Sequence, residues 1–280
     1  MTRNPTSEIS SFSEIGLRTE NIGSGQKLQI GQLAVGETWE DVVRCSPGPL
    51  LSYRMEEQEW DGTTWEVIDA SNNERHGTTQ GAISTEPNDL SGAAIVGNPG
   101  TCGYGVFEGG SIRENGAGSY LNGLEAITVT TWVYNTAALA GNDRGIFTTA
   151  NPTGKDNRLA LRYDVDGFFT DNTNVIKASV FTEDCNPNQE CLQVETDSNV
   201  MAIDEWQHVA MTWSRGGLIR VFVDGLEVGT SVTRNKGGAD ALAGIDWLEI
   251  GQGTKSERWR GRLDDFRIFG FAMTEAEVAA

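Results

Sequence analysis

The sequence predicts an all-β fold in which two antiparallel sheets pack face to face, as in a sandwich or jelly roll. Short stretches in which apolar and polar residues alternate recur from Leu50 to Phe269, separated by turn residues, as expected of half-buried strands. Glycine is frequent, at 34 of 280 residues, and proline is rare, at 7, which is typical of many tight turns. A helix is indicated only at the C-terminal end, so helices cannot supply a layer of the core.

The N-terminal segment differs from the rest of the chain in composition. Ser, Thr and Glu dominate up to Gly25, and an alternating stretch over residues 27–35 predicts one or two strands. A Ser-Pro-Gly-Pro sequence at residues 46–49 then interrupts regular structure. We therefore expect an N-terminal extension over residues 1–48 and a jelly-roll domain over residues 49–280.

The strands of this domain are indicated one after another along the chain. In the strand predicted over residues 125–134, Ile127 and Val129 share one face, and Trp132 and Tyr134 share the other. The same alternation predicts further strands over residues 158–163, 176–181, 206–213, 218–223, 226–232, 247–250 and 262–269.

Two local signals predict a turn and a helix start. Asp224-Gly225 stands between two alternating stretches, and these residue types adopt the positive φ angles of a type I′ hairpin turn. Thr274 and Glu277 form a capping-box pattern ahead of Val278, which predicts a short C-terminal helix.

The charge balance excludes several kinds of partner. Lys and Arg number 21 against 40 Asp and Glu, a net charge of −19, so nucleic acids and anionic membranes would be repelled. No apolar stretch approaches the roughly 18 to 20 residues that cross a bilayer, so we expect no membrane insertion. His76 and His208 are the only histidines, which excludes zinc sites built on several imidazoles.

The four cysteines point to an oxidising compartment. Cys185 and Cys191 bracket a turn-rich loop short enough for a disulfide, which leaves Cys45 and Cys102 as the other pair. Four cysteines allow three pairings, and four free thiols are the alternative. Disulfides would indicate an exported protein, extracellular or at the cell surface, and since the chain starts without a signal-peptide pattern we expect a domain of a longer protein.

Several short motifs follow one another from Leu50 to the C-terminal end. They are Tyr53-Arg54-Met55-Glu56-Glu57, Trp60-Asp61-Gly62-Thr63, Val67-Ile68-Asp69-Ala70-Ser71-Asn72-Asn73 with His76-Gly77, Thr128-Val129-Thr130-Thr131-Trp132-Val133, Trp206-Gln207-His208-Val209-Ala210, Val221-Phe222-Val223-Asp224-Gly225, Leu248-Glu249-Ile250-Gly251, Gly261-Arg262-Leu263-Asp264-Asp265-Phe266-Arg267-Ile268 and residues 273–278. In this order they resemble the laminin G-like, concanavalin A-like jelly-roll family, and the resemblance does not reach residues 1–44. The segment Gly100-Thr101-Cys102-Gly103-Tyr104-Gly105-Val106-Phe107 is similar to the version in bacterial pilus-associated proteins of the MSHA biogenesis MshQ type.

The resemblance implies a function as well as a fold. It implies a non-catalytic, extracellular adhesion or carbohydrate-recognition module of a bacterial surface or pilus-associated protein, with a glycan or a surface protein as ligand. One alternative is a structural or assembly module of a pilus, with pilus components as partners. Another alternative is a glycan-active hydrolase or lyase of the same fold.

The loop over residues 69–77 has the composition of a calcium site. Carboxylate and amide oxygens in a turn are the hard ligands that calcium prefers. The resemblance implies a structural calcium ion here, with Asp69 and Asp264 as ligands and with Asn73 and the backbone of His76 as further candidates. The alternative is that the two aspartates cap turns and accept backbone hydrogen bonds.

Two details of the sequence bear on this site. Asn72 stands where the family usually has Gly, but Asn tolerates a left-handed backbone, so we expect the loop to keep its shape. Asp264 alternates with Phe266 and Ile268, so we expect it to point inward, where a carboxylate needs a metal or good hydrogen-bond donors.

Sugar binding requires exposed aromatic rings beside polar side chains, because a flat ring packs on the apolar face of a pyranose. Trp60, Trp65, Tyr104 and Trp259 lie in predicted loops or strand ends and are the candidate ligand-binding residues, with packing at the ends of the sandwich as the alternative. The tryptophans of the alternating strands are expected in the core: Trp132, Trp206 and Trp213.

No complete catalytic pattern is present. Laminarinase-type enzymes of this architecture carry Glu-x-Asp-x-x-Glu on one strand, and Glu59 and Asp61 begin this pattern, but Thr64 stands at the third carboxylate position. A Gly-x-Ser-x-Gly elbow is missing, and His208 lies in a predicted strand, where a core or hydrogen-bonded role is expected. We therefore expect no enzymatic activity and no catalytic residues.

Overall fold

The computed structural model of the 280-residue chain describes residues 47–87, 101–136, 144–151, 159–166, 171–183, 192–228, 230–234, 238–253 and 257–279. By its internal contacts the chain divides between Ser46 and Pro47, and all described residues belong to the second unit. The strands predicted over residues 27–35 lie outside the described residues, as do three cysteines: Cys45, Cys185 and Cys191. Within the described ranges no helix is long and apolar enough to cross a membrane.

Almost all of the regular structure is β-strand. The strands in chain order are β1 (Leu51–Tyr53), β2 (Thr78–Gln80), β3 (Ile83–Pro87), β4 (Gly103–Glu108), β5 (Ser111–Glu114), β6 (Ala126–Asn135), β7 (Arg144–Ala150), β8 (Leu159–Asp166), β9 (Thr173–Val180), β10 (Leu192–Thr196), β11 (Trp206–Ser214), β12 (Arg220–Val223), β13 (Leu226–Glu227), β14 (Thr230–Arg234), β15 (Trp247–Ile250) and β16 (Arg260–Phe269). The helices are short: α1 (Gly118–Leu121) and α2 (Glu275–Val278).

The strands form two sheets. Sheet 1 has the order β13-β12-β11-β6-β16-β4-β3, and β1 also pairs with β16. Sheet 2 has the order β14-β10-β9-β8-β7-β15-β5-β2. The ladders between these strands are antiparallel. The prediction of an all-β sandwich of two antiparallel sheets is therefore confirmed.

The alternation along β6 separates a core face from an outer face. Ile127, Val129 and Val133 are fully buried in the main apolar cluster, and Met211 of β11 lies opposite Val129 in the ladder. Residues of sheet 2 such as Leu161 join the same cluster, so the core lies between the sheets. The residues that alternate with them on β6 and β11 consequently form the outer face of sheet 1.

The predicted hairpin turn and helix cap are present, but one predicted strand is wrong. Asp224 and Gly225 have φ angles of 50° and 77°, as a type I′ turn requires, and the side chains of Thr274 and Glu277 form the capping box at the start of α2. The single strand predicted over residues 226–232 is divided, because β13 pairs with β12 in sheet 1 and β14 pairs with β10 in sheet 2. Alternation within a segment cannot reveal this change of partner.

A β-bulge interrupts β16. The register of its ladder with β6 shifts between Asp264 and Arg267, and Asp265 in the bulge has a left-handed φ of 46°. Leu263 and Phe266 both belong to the core cluster, so strict alternation fails across the bulge. Asp264 therefore does not alternate with Phe266 as predicted, although it is fully buried.

Candidate functional site

The loop between β1 and β2 is organised around the carboxylate of Asp69. Its Oδ1 accepts hydrogen bonds from the backbone N–H groups of Ser52, at 3.0 Å, and Ser71, at 2.9 Å. Its Oδ2 accepts from the Ser71 hydroxyl, at 2.8 Å, and from the backbone N–H of Arg75, at 3.1 Å. Asp69 is buried, and these hydrogen bonds occupy the lone-pair directions of both oxygens.

The other predicted loop residues also take part in hydrogen bonds. Asn72 has a left-handed φ of 67°, as expected for an Asn at a position where Gly is usual. The Asn73 amide donates to the Leu50 carbonyl at 3.1 Å, and the His76 Nδ1 atom accepts from the backbone N–H of Asp69 at 3.0 Å. These contacts close the loop onto β1.

Asp264 lies on β16 and has hydrogen-bond donors of its own. The Thr101 hydroxyl donates to its Oδ2, and the backbone N–H of Asp265 donates to its Oδ1 at 2.7 Å. In the part of the chain that the structure describes, no group of three or more His, Cys, Asp or Glu side chains is placed to hold a metal ion. A calcium ion at Asp69 would have to replace at least one of these donors. Calcium binding stays a prediction from the sequence.

A pocket of about 290 Å³ lies between this loop and the segment that joins β5 to α1. We call it the rim pocket. Its lining comprises Trp65, Glu74, Arg75, His76, Thr78, Arg113, Glu114, Asn115, Gly116 and Ser119. This combination of one aromatic ring with cationic, acidic, amide and hydroxyl groups suits a polar ligand that also has an apolar face.

Only one of the four predicted ligand-binding aromatic residues presents its ring to solvent. Trp65 is 66% exposed, at a left-handed φ of 69°. Trp60 and Tyr104 are 7% exposed and Trp259 is 0% exposed. Trp60 and Trp259 pack in the main core, and Tyr104 packs edge-on against Trp206, so these three rings have no face free for a sugar.

The polar side chains of the rim pocket are held in place. The Arg75 guanidinium stacks on the Tyr120 ring at 3.9 Å. Glu114 accepts hydrogen bonds from the backbone N–H of Gly116 at 2.5 Å and from the Tyr120 hydroxyl at 3.1 Å. Burial raises the pKa of the Glu114 carboxyl above its ordinary value. Because Arg113 is also fixed, by a hydrogen bond to Glu249 at 2.8 Å, the pocket is largely preorganised.

A second, larger groove of about 530 Å³ lies on the outer face of sheet 1. We call it the sheet-face groove, and it is lined by Arg54, Thr101, Trp132, His208, Asp224, Gly225, Asp265, Arg267, Val278 and Ala279. The predicted core position of Trp132 is wrong, because this residue is partly exposed and lines the groove on the outer face. The sequence contained a signal for this outer position, because Trp132 lies on the strand face opposite to the apolar residues of β6. The prediction of a core position is confirmed for Trp213, which is 1% exposed.

The remaining sequence predictions concern the carboxylates of an enzyme-like pattern and the cysteines. Glu59 and Asp61 are exposed in a loop, where Asp61 Oδ1 accepts from the backbone N–H of Thr63 at 2.8 Å, so they do not share a strand face. Cys102 is exposed. Its predicted partner Cys45 lies outside the described residues, so the disulfides stay a prediction.

Solved structures of other proteins contain a similar fold. Domain 4 of AbnA, a GH43 extracellular arabinanase from Geobacillus stearothermophilus in complex with arabinotriose, matches with 16% identity and a TM-score of 0.54, over 83% of this chain and 97% of its own. The receptor binding domain of botulinum neurotoxin mosaic serotype C/D matches with 14% identity and a TM-score of 0.55, over 83% of this chain and 49% of its own. A structure of botulinum neurotoxin type C, whose cell entry depends on interaction with two ganglioside molecules, matches with 10% identity and a TM-score of 0.52, over 84% of this chain and 50% of its own. The chain thus spans about half the length of these neurotoxin chains.

The sequence itself matches a family model. No curated protein sequence matches the chain. The model described as the concanavalin A-like lectin/glucanases superfamily matches residues 109–279, which is more than half of the chain. Together with the two-sheet architecture, this match shows that the chain belongs to the concanavalin A-like lectin/glucanase superfamily.

Proposed function

We propose that the chain is a non-catalytic carbohydrate-recognition module that binds a glycan in the rim pocket. The observation that carries this proposal is the exposed ring of Trp65 beside a set of fixed polar groups. An indole ring packs on the C–H face of a sugar, while carboxylates, guanidinium groups and amides bind its hydroxyl groups. Exposing a large apolar ring on a left-handed backbone has a free-energy cost, which a binding role would explain.

The fixed polar groups give the rim pocket both kinds of hydrogen-bonding partner. Among its lining residues, Arg75 and Arg113 carry donors and Glu114 carries acceptors. Each of these side chains already has a contact that orients it, so binding a sugar would cost little side-chain entropy. Similar folds in complexes with arabinotriose and in a ganglioside-dependent neurotoxin support a carbohydrate as the class of ligand.

The proposal includes the setting predicted from the sequence, an exported module of a bacterial surface that serves adhesion. It does not depend on calcium, and stabilisation by calcium at Asp69 and Asp264 is a separate proposal based on the chemistry of those side chains. A role in pilus assembly likewise stays a prediction. The proposal of a non-catalytic module is supported by Glu59 and Asp61, which lie in an exposed loop and not on one strand face.

A glycan array followed by calorimetry on Trp65→Ala tests the proposal. Loss of the ring is expected to weaken binding about tenfold, since an aromatic contact contributes on the order of 1 to 1.5 kcal/mol. Leu226→Ala is the matched control, because Leu226 is 68% exposed on the β12–β13 hairpin and does not line the rim pocket. Wild-type affinity in Trp65→Ala, or no glycan bound by the wild type, would contradict the proposal.

A reducing-end assay on the same polysaccharides tests the non-catalytic part. We expect no release of reducing ends. Release that disappears in Glu114→Gln, while the fold is kept, would show that the rim pocket is an active site.

A further inference from the structure

We infer that the sheet-face groove is a second saccharide-binding site, independent of the rim pocket and selective for neutral sugar units. The inference rests on the proposed function, because it assigns a ligand class within carbohydrate recognition. It is carried by the shape of the groove, by two unusual backbone positions in its wall and by the balance of charges around it.

The groove has the size and the floor of a small-ligand site. Its volume of about 530 Å³ falls within the usual range for ligand pockets, and it shares no lining residue with the rim pocket. Trp132 of β6 and His208 of β11 lie opposite each other in the ladder, with ring centroids 5.4 Å apart. Arg267 lies on β16, on the other side of β6, and the Asp224-Gly225 turn and Ala279 complete the lining.

Two aspartates in the wall of the groove have left-handed backbones. Asp224 has φ 50° and Asp265 has φ 46°. The value at Asp224 belongs to a hairpin turn, but Asp265 lies in the β-bulge of β16, in the interior of a strand. Non-glycine residues in this region cost free energy, and bulges commonly redirect a side chain toward a functional site. The bulge places the Asp265 carboxylate in the groove.

Each arginine of the groove is paired with a carboxylate, and Asp224 accepts a backbone hydrogen bond. Arg267 Nε and Nη2 donate to the two carboxylate oxygens of Asp265 at 2.8 and 2.7 Å. Arg54 Nη2 donates to Glu56 at 2.9 Å, and Asp224 Oδ1 accepts from the backbone N–H of His208 at 2.9 Å. Since each cation has its own carboxylate, the groove offers an anionic sugar no unpaired positive charge, and the chain as a whole carries −19.

The same groups suit hydroxyl groups. A fixed carboxylate–guanidinium pair presents acceptors and donors at short spacing, which matches neighbouring hydroxyls of a neutral sugar. Burial lowers the pKa of His208, whose charged neighbours are Asp224, Asp265 and Arg267, so the imidazole is neutral at neutral pH and adds no charge. The partly exposed ring of Trp132 supplies the apolar surface.

The test follows the indole N–H signals of Trp65 and Trp132 by NMR during titration with lactose, cellobiose, maltose and arabinobiose. Phe substitutions of the two residues assign the signals. We expect both signals to shift in the wild type. In Trp65→Ala the Trp132 response should stay as in the wild type, which shows that the groove binds without the rim pocket. Arg267→Gln should weaken only the Trp132 response, by about fivefold or more, and leave the Trp65 response unchanged.

Control variants and a charged sugar show whether the Trp132 response is specific to the groove. Arg220→Gln is the matched control, because Arg220 also lies in sheet 1 and forms a partly exposed ion pair, with Glu227, outside the groove. Melting curves of Arg267→Gln show whether it folds, and His208→Gln provides a second groove variant. In addition, 3′-sialyllactose is compared with lactose, and equal or weaker binding of the charged sugar at Trp132 is expected.

The outcomes separate this inference from the proposed function. Shifts at Trp65 alone would overturn the second site and leave the rim pocket in place. Shifts at Trp132 alone would support the groove and overturn the rim pocket. No shift at either signal with any probe would overturn both, and tighter binding of 3′-sialyllactose than of lactose at Trp132 would overturn selectivity for neutral sugars.

Discussion

Replacing Asp69 by alanine would remove the acceptor around which the loop between β1 and β2 folds. The carboxylate accepts three backbone N–H hydrogen bonds, from Ser52, Ser71 and Arg75, and one from the Ser71 hydroxyl. The N–H of Ser52 lies in β1 and is buried, so without Asp69 it is left without a partner at a cost of about 1 to 3 kcal/mol. The other N–H groups can turn to water at a smaller cost, so we expect a total loss of about 3 kcal/mol of stability.

Thermal melting and urea unfolding in EDTA measure this loss without any contribution from calcium. For a domain of this size, about 3 kcal/mol corresponds to a decrease in Tm of about 6 to 12 °C. Asp61→Ala is the matched control, since Asp61 also accepts a backbone N–H, from Thr63, but in an exposed turn, and it should shift the Tm far less. Equal melting of Asp69→Ala and wild type in EDTA would refute the hydrogen-bond argument.

The same two proteins, melted again with calcium, test the predicted ion. If calcium binds at Asp69, it raises the Tm of the wild type and leaves that of Asp69→Ala unchanged. Equal Tm values for the wild type with calcium and with EDTA would refute the prediction of a stabilising ion. The hydrogen-bond effect measured in EDTA is independent of this result.

Three further predictions follow from close packing at Gly118 and from the shifted pKa values of Glu114 and His208. A Cβ at Gly118 would lie 2.2 Å from the carbonyl oxygen of Ile245, so Gly118→Ala should lower the free energy of unfolding by about 1 to 3 kcal/mol or more, measured by urea unfolding. Ser119→Ala is the control, because Ser119 is exposed on α1 and its replacement should lower the free energy of unfolding less. Burial raises the pKa of Glu114, so its contribution to stability is full below pH 4.5 and falls as the pH rises through the raised pKa. In melting curves, Glu114→Gln should therefore gain stability relative to the wild type between pH 4 and 7. A stability difference that does not change with pH would contradict this prediction. Burial lowers the pKa of His208, so the neutral imidazole contributes stability to the fold above pH 6.5, and this contribution is lost as the pH falls through the lowered pKa. The midpoint of its NMR titration should lie below 6.5. The His208→Gln variant should be destabilised less than the wild type by acid.

Trp60 and Trp65 illustrate where prediction from sequence stops. They stand in one loop, five positions apart, and both met the requirement of an aromatic residue beside polar neighbours. Trp60 is 7% exposed and Trp65 is 66% exposed. The difference arises because Trp60 packs in the main core cluster against Gly105 of β4, which is far away in sequence, while Trp65 points into solvent. Burial depends on neighbours that the local sequence does not contain.

The bulge of β16 illustrates the same limit for strand faces. Period-two alternation assigned Asp264 to the core face, and one inserted residue cancelled that assignment. The bulge also places Asp265 in the same groove as Trp132, a residue more than a hundred positions earlier in the chain.

The sequence by itself determined the all-β class, the position of β6 and its two faces, the Asp224-Gly225 turn and the capping box of α2, because each of these depends on residues close together along the chain. It also determined the family, because the order of the motifs along the chain is itself a property of the sequence. The existence and the lining of the rim pocket and the sheet-face groove were determined only by the tertiary structure. Each is assembled from loops and strands far apart in sequence, and their exposure and charge pairing follow from which segments pack together.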